Sequence, residues 1–188
     1  MSAFPTAIVD FLYTAAAGKA VPTDVFQKIL DEIVALETAM VSGRARCSAY
    51  HNATQSLTNN TITLLNLNSE DFDVGTMHDT VTNNTRVTIP AGNTGIYLVI
   101  GGTSFAANAT GFRLIQLFKN GNGGLPLTGT ILSATSGTDR LVFQVTTVQS
   151  LAAGDYIELV ASQTSGGALN VGSATRTDAS TLQVVRLW

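Results

Sequence analysis

The sequence predicts a mainly β protein, an antiparallel sandwich preceded by one short helical segment. Three observations predict it. Short runs rich in β-branched and aromatic residues recur along the chain, each bounded by Gly, Pro, Asn or Asp, which is strand chemistry with turn chemistry between. Only 12% of the residues are charged, against roughly 25% in an average protein; low charge with much Thr, Asn, Ser and Gly suits many tight turns and surface hidden in an oligomer. One stretch, residues 23–41, carries helical periodicity.

The clearest strand signals lie between Val87 and Lys119. Val87-Thr88-Ile89-Pro90-Ala91-Gly92 is followed by Gly95-Ile96-Tyr97-Leu98-Val99-Ile100 and by Phe112 to Lys119. In Ile96–Ile100 both alternating faces are apolar, so this strand needs cover on both sides. One cover is its own core, and the other is assigned to a second chain. Nine strands are expected: 45–51, 61–66, 86–89, 95–101, 112–119, 130–134, 141–148, 156–161 and 181–187. Leu141, Phe143 and Val145 alternate with polar neighbours, and Ile157, Leu159 and Ala161 flank Glu158; these are core faces of half-buried strands. About nine short strands with regular turns mean a sandwich or barrel.

Three domains are expected: an arm over residues 1–22, a helix over 23–43 and the β domain over 44–188. The arm holds Phe4, Ile8, Val9, Phe11, Leu12 and Tyr13, too apolar to be left in water. It either folds back on its own domain or docks on a neighbouring protein. Thr23 or Asp24 is placed to cap the helix, with Gln27 to close a capping box. Phe26, Ile29, Ile33, Leu36 and Met40 step by heptad intervals. The stripe packs on its own domain or forms a parallel three-helix bundle; in the second case these five residues are trimer contacts.

Several functions are disfavoured. A net charge of −3 without a basic stripe lacks the electrostatic footprint of a nucleic-acid binder. No segment has the length and apolarity of a membrane-spanning helix, so no membrane partner is expected. The apolar run 7–17 has no basic residue before it and is broken by Asp10, which argues against a signal peptide. Cys47 is the single cysteine, which leaves no internal disulfide and reads as a small buried strand residue. Asn-x-Thr occurs at Asn52, Asn59, Asn83 and Asn108 and is read as turn chemistry. Gly102-Thr103-Ser104-Phe105-Ala106 is a near miss for a nucleophile elbow, outside that motif's strand-to-helix setting. No catalytic residue is assigned.

The order of the β signals resembles the C1q/TNF-like jelly-roll family. The residues that carry the resemblance are Ala45 to Ala49, Phe72-Asp73-Val74-Gly75, Ile89-Pro90-Ala91-Gly92 with Gly95-Ile96-Tyr97, Lys119-Asn120-Gly121, Leu151-Ala152-Ala153-Gly154-Asp155 and Ser180-Thr181-Leu182. They span residues 45 to 188. The heptad segment stands where that family carries a collagen stalk. The resemblance implies a homotrimer with Tyr97, Val99 and Val185 near its axis. A helical segment feeding a trimeric β head also looks like a bacteriophage virion appendage. Tail fibres, head fibres, receptor-binding tips and capsid decorations are built this way, and virion proteins would then be partners through residues 1–43.

Two ligand expectations follow. Polar loops with an occasional aromatic suit weak sugar recognition, and residues 105–110, 120–122 and 163–176 are such loops. Phe105, Asn108, Asn120, Asn122, Gln163 and Asn170 are the candidates for a host surface glycan. Glu70, Asp71, Asp73 and Asp79 form one acidic cluster. Some C1q-like heads bind calcium, which makes Asp71 and Asp73 candidate ligands, although no calcium-loop spacing is present and a solvated loop is the other reading. No other cofactor is expected. The same carboxylates would serve a polysaccharide depolymerase, which requires a pair facing one cleft. A bacterial C1q-like surface protein is the third reading.

Overall fold

The computed structural model describes residues 23–41, 45–121, 126–134 and 140–188. The chain divides into two units, Met1–Gly43 and Arg44–Trp188. The first contains helix α1 (Thr23–Val41), where the periodicity predicted it. On its stripe Phe26 is 56% exposed, Ile33 48% and Leu36 65%. Ile29 is half-buried, and the Met40 side chain lies outside the described residues. Gln27 donates its amide to Asp31 Oδ1 one turn on.

The second unit holds twelve strands among the described residues: β1 (Arg46–Tyr50), β2 (Gln55–Leu57), β3 (Thr63–Leu64), β4 (Ser69–Val74), β5 (Arg86–Thr88), β6 (Gly95–Phe105), β7 (Phe112–Lys119), β8 (Thr128–Ser133), β9 (Leu141–Leu151), β10 (Tyr156–Gln163), β11 (Leu169–Val171) and β12 (Thr181–Arg186). All nine expected strands are present, some longer or shorter than expected; β2, β4 and β11 are additions to them. A seven-stranded sheet runs β2-β11-β6-β12-β1-β4, with β9 on the free side of β6. A five-stranded sheet runs β3-β10-β7-β8, with β5 also on β10. Every pairing is antiparallel.

The core lies between the sheets. Cys47, Ala49, Tyr97, Val99, Phe143, Val145, Leu182 and Val184 come from the large sheet, and Ile115, Leu117, Ile157, Leu159 and Ala161 from the small one. Burial, with Asp73 and Glu70 nearby, pushes the Cys47 thiol far up, so it stays a neutral apolar group. Turns fall where the Asn pairs stand: Asn60, Asn83 and Asn120 all have positive φ, a region Asn tolerates better than most residues. Glu158 departs from the expected alternation. It lies on the outer side of the small sheet, opposite Arg86 and Phe118, yet it is only 6% exposed. Burial raises its pKa against the pull of Arg86.

One end of the unit, the base, holds Ala45 and the C-terminus: Arg186 N–H donates to Ala45 O, and Ile96 N–H to Trp188 O. The opposite end, where β1 finishes and β6 reaches Phe105, is the tip.

A candidate assembly face and a groove at its tip

The outward face of the large sheet is a grid of cross-strand rows. Nearest the base stand Arg46, Val185, Leu98 and Val148. The next row is Ser48, Gln183, Ile100 and Thr146, and the third is Tyr50, Thr181, Gly102 and Gln144. Ile96 lies below the first row, opposite Ser150. The face is therefore apolar toward the base and polar toward the tip. Ile96, Leu98, Ile100 and Val185 are half-buried, and Val148 is 55% exposed. Toward the tip the same face carries Val142 on β9, and the neighbouring edge strand β8 of the small sheet exposes Ile131 and Leu132. A soluble domain rarely leaves so contiguous an apolar patch bare.

This placement corrects the expected axis residues. Tyr97 and Val99 are both 0% exposed and point into the core, where the Tyr97 hydroxyl donates to Asn93 O at 2.5 Å. Their alternates Ile96, Leu98 and Ile100 face outward. Val185 does lie on the outward face, beside Leu98.

At the tip end of the face a β-bulge between Ser48 and Ala49 lets Asp71 share the outward side with Ser48. Ser48 Oγ donates to Asp71 Oδ2 at 2.7 Å. Arg176 donates to the same carboxylate through Nε, at 3.1 Å, and through Nη2. Its guanidinium lies 4.6 Å from the centre of the Tyr50 ring. The Arg176 hydrogen bonds hold the Asp71 carboxyl below its usual range, and the Ser48 hydroxyl adds to this. Beside Arg176 a groove of about 390 Å³ is lined by Gly102, Val142, Gln144, Thr177 and Thr181 among others.

The predicted ligand residues do not converge. Phe105 is 0% exposed and packs edge-on against Phe143 at 5.2 Å between ring centres, so it is core. Gln163 is 1% exposed; its amide donates to Leu57 O and Gly167 O and accepts from Ser165 N–H, which fixes a turn. Asn170 is exposed at the tip and Asn108 half-buried there, with the Asn108 side chain engaged with Thr110 N–H and Arg113. Asn120 lies at the base, where it bonds Asp155 and Tyr156 N–H. Asn122 is outside the described residues, as is the arm 1–22. Arg176 is not among the predicted site residues, though it ends one of the polar loops; its partner stands 105 positions away, and no local signal announces that pairing.

The acidic cluster is divided among separate tasks. Asp73 accepts from Met77 and His78 N–H, Asp79 from Val81 and Thr82 N–H, and Glu70 pairs with His78 Nδ1 at 2.8 Å. With Asp71 committed to Arg176, Asp71 and Asp73 do not fit a calcium ion. Among the described residues no three His, Cys, Asp or Glu side chains gather as metal ligands. These separate commitments also fail to give the facing pair a depolymerase requires. Ser104, the residue at the elbow-like motif, is 0% exposed and donates to Asp178 O while accepting from Arg140, so it is no free nucleophile.

At the base, Asp155 gives a testable electrostatic contact. Burial would raise its carboxyl, but Lys119 Nζ at 2.6 Å, the Asn120 amide and Ala152 N–H outweigh that and bring it to about 2. A depressed folded pKa adds stability above the unfolded value of 3.8, and that gain is lost as pH falls toward 2. Asp155→Asn is expected to lower the unfolding midpoint by about 2–4 °C at pH 7. Melting curves at pH 7 and pH 2 should show most of the difference gone at pH 2.

No family model matches the chain, and no curated protein matches it in sequence. Solved structures do. The globular domain of zebrafish complement 1qA protein aligns with a TM-score of 0.53 at 13% identity, over 77% of this chain and 98% of that one. Murine APRIL gives 0.57 at 19% identity, over 77% and 99%, and Eiger TNF from S. frugiperda 0.52 at 16%, over 77% and 91%. The sandwich is thus a C1q/TNF-like antiparallel jelly roll, as the order of its motifs predicted.

Proposed function

We propose that the chain is a homotrimeric, non-catalytic structural protein of a virion: a fibre, tail-tip or capsid-decoration component with a jelly-roll head. The observation that carries self-association is the apolar base half of the large sheet's outward face, bare in the single chain. Each protomer also offers an apolar edge at Ile131, Leu132 and Val142. A face meeting an edge is a heterologous contact, and such contacts close into rings when the rotation allows. Each Leu, Ile or Val so buried contributes about 1.5–3 kcal/mol. The apolar stripe of α1, with Phe26, Ile33 and Leu36 exposed, supports a second contact, a three-helix bundle through Phe26, Ile29, Ile33, Leu36 and Met40.

The virion reading rests on the resemblance of a heptad segment followed by a β head to phage appendages. Residues 1–43 then attach the protein to other virion proteins, and the tip, with Asn170 exposed, presents a surface to host glycans.

Solution mass tests the assembly. The full chain and the chain starting at Arg44 are both expected to be trimers by light scattering. Trimers of the full chain alone would assign assembly to the helix, and monomers of both would overturn the trimer. Pull-downs with host cells and with particles lacking the protein test its attachment; retention by neither would remove the virion role.

A further inference from the structure

We infer that Arg86 has two seats, chosen by the proton on Glu158: the ring of Tyr156 while Glu158 is a neutral acid, and Glu158 itself once that carboxyl ionises. The three residues stand on the outer side of the small sheet, across the sandwich from the large-sheet face assigned to the contact between protomers.

The register brings both seats within reach. Glu158 on β10 is directly opposite Arg86 on β5, and Tyr156, two residues before it on the same side of β10, is opposite Thr88. Directly opposed side chains have Cβ atoms about 4.5–5.5 Å apart, and a long side chain also reaches the diagonal neighbour. In the structure Arg86 takes the ring: its guanidinium carbon lies 4.7 Å from the centre of Tyr156. The carboxyl opposite it is left alone. Glu158 is 6% exposed, and its Oε2 has no hydrogen-bond partner. Among the described residues the ion pairs are His78 with Glu70, Lys119 with Asp155 and Arg176 with Asp71, so none joins Glu158 to Arg86.

That arrangement fits a protonated Glu158. A buried carboxylate needs a cation or a donor, and Arg86 would supply both. A neutral carboxyl makes no such demand, and the ring face then holds the guanidinium through its quadrupole. The other groups around Glu158 do not compete for this role. On β7 the residue opposite is the buried Phe118, and the next one, Lys119, is committed to Asp155 at 2.6 Å. On β10 the outward neighbours are Tyr156 and Val160, and on β3 Leu64 stands opposite Val160. Arg86 is the charge that pulls on Glu158, and burial outweighs that pull, raising the carboxyl above its ordinary 4.5. The stability linked to a raised carboxyl is full below 4.5 and is lost as pH rises through the folded value. Acid therefore keeps Arg86 on the ring and the β5–β10 pairing firm, and ionisation bares the Tyr156 ring.

The test follows the Glu158 side-chain carboxyl and the Arg86 Cδ protons of the full chain by NMR, from about pH 3 to about pH 8. Glu158 is expected to titrate above 4.5. In acid the Tyr156 ring current should shift the Arg86 protons upfield, and this shift should disappear with the Glu158 midpoint. Glu158→Gln, which keeps the side-chain shape, should preserve the upfield shift at every pH. It should also raise the melting temperature by about 2–4 °C at pH 7, with no gain in acid below 4.5. Tyr156→Leu removes the first seat and should lower the Glu158 midpoint by about one pH unit; Tyr156→Phe keeps the ring and should leave it in place. Titration of Glu158 at or below 4.5 would overturn the inference. So would Arg86 protons that stay fixed while Glu158 titrates, loss of their shift in Glu158→Gln, or an unmoved midpoint in Tyr156→Leu.

Discussion

Replacing Leu98 with Asp is expected to convert an assembled head into a folded monomer. Leu98 stands at the middle of the apolar base half of the large sheet, between Val185 on one neighbour and Val148 on the other. Its side chain points away from the core that Tyr97 and Val99 enter, so the single domain tolerates a polar replacement. The assembly does not. It loses about 1.5–3 kcal/mol per protomer of apolar burial. It must also bury carboxylates on an apolar surface without partners, which costs further. The concentration at half-assembly should rise about tenfold or more, with far-ultraviolet circular dichroism unchanged. Val81→Asp is the control, because Val81 is 84% exposed in the turn between β4 and β5, outside the strand grid of this face. A trimer that persists in the Leu98→Asp variant would place the interface elsewhere, with the helix as the next candidate.

That experiment also touches the point at which sequence reading fails. Alternation along Ile96–Ile100 shows that both faces are apolar but not which faces inward. The answer lies in β9, where Phe143 and Val145 are core while Gln144 and Thr146 are outward. β6 pairs Gly102 with Gln144 and Ile100 with Thr146, so its parity follows β9 once the register is known. Register is a long-range fact, and composition does not contain it. The strands that are legible, such as β7, β9 and β12, carry apolar runs long enough to show a period. β4 reads Ser-Glu-Asp-Phe-Asp-Val and looks like a solvated loop. It is the edge of the large sheet, and charge on an edge strand deters pairing with other chains. β2 and β11 have only three residues each, too few for a period to appear.

The candidate site is less legible than the fold for a related reason. Asn and Gln in polar loops read as free for a ligand, yet most of them tie their own turns. Gln163 spends its amide on Leu57, Ser165 and Gly167, and Asn120 on Asp155 and Tyr156. Side chains of this type hydrogen-bond nearby backbone readily, so loop composition alone does not separate a scaffold from a site. Arg176 differs because two long-range partners orient it while leaving donors over.

Gly111→Ala is expected to cost more than about 3 kcal/mol of stability. Gly111 has φ +77, and an added Cβ would lie 1.8 Å from Thr164 O and 2.5 Å from Thr164 Oγ1. The obstacle is backbone of the adjacent β10 end, and that backbone is itself held: Thr164 N–H donates to Phe112 O, and Phe112 N–H to Thr164 Oγ1. Ala134 N–H donates to Gly111 O from the other side. Beneath them Arg113, 0% exposed, donates from Nη1 to Thr110 O and Phe112 O and from Nη2 to Asn108 O. Moving Gly111 therefore breaks a corner in which a buried guanidinium is held by the carbonyls of Asn108, Thr110 and Phe112 and by Asn108 Oδ1, and it frees the tip loop that carries Asn108. Gly166→Ala is the comparison. Gly166 has φ +89 with nothing within 4 Å of the added Cβ, so it carries the backbone strain alone, about 1–2 kcal/mol. Urea unfolding of the two variants isolates the clash as their difference. Equal losses would mean that the corner gives way to the methyl group, and that Arg113 does not hold the tip loop in place.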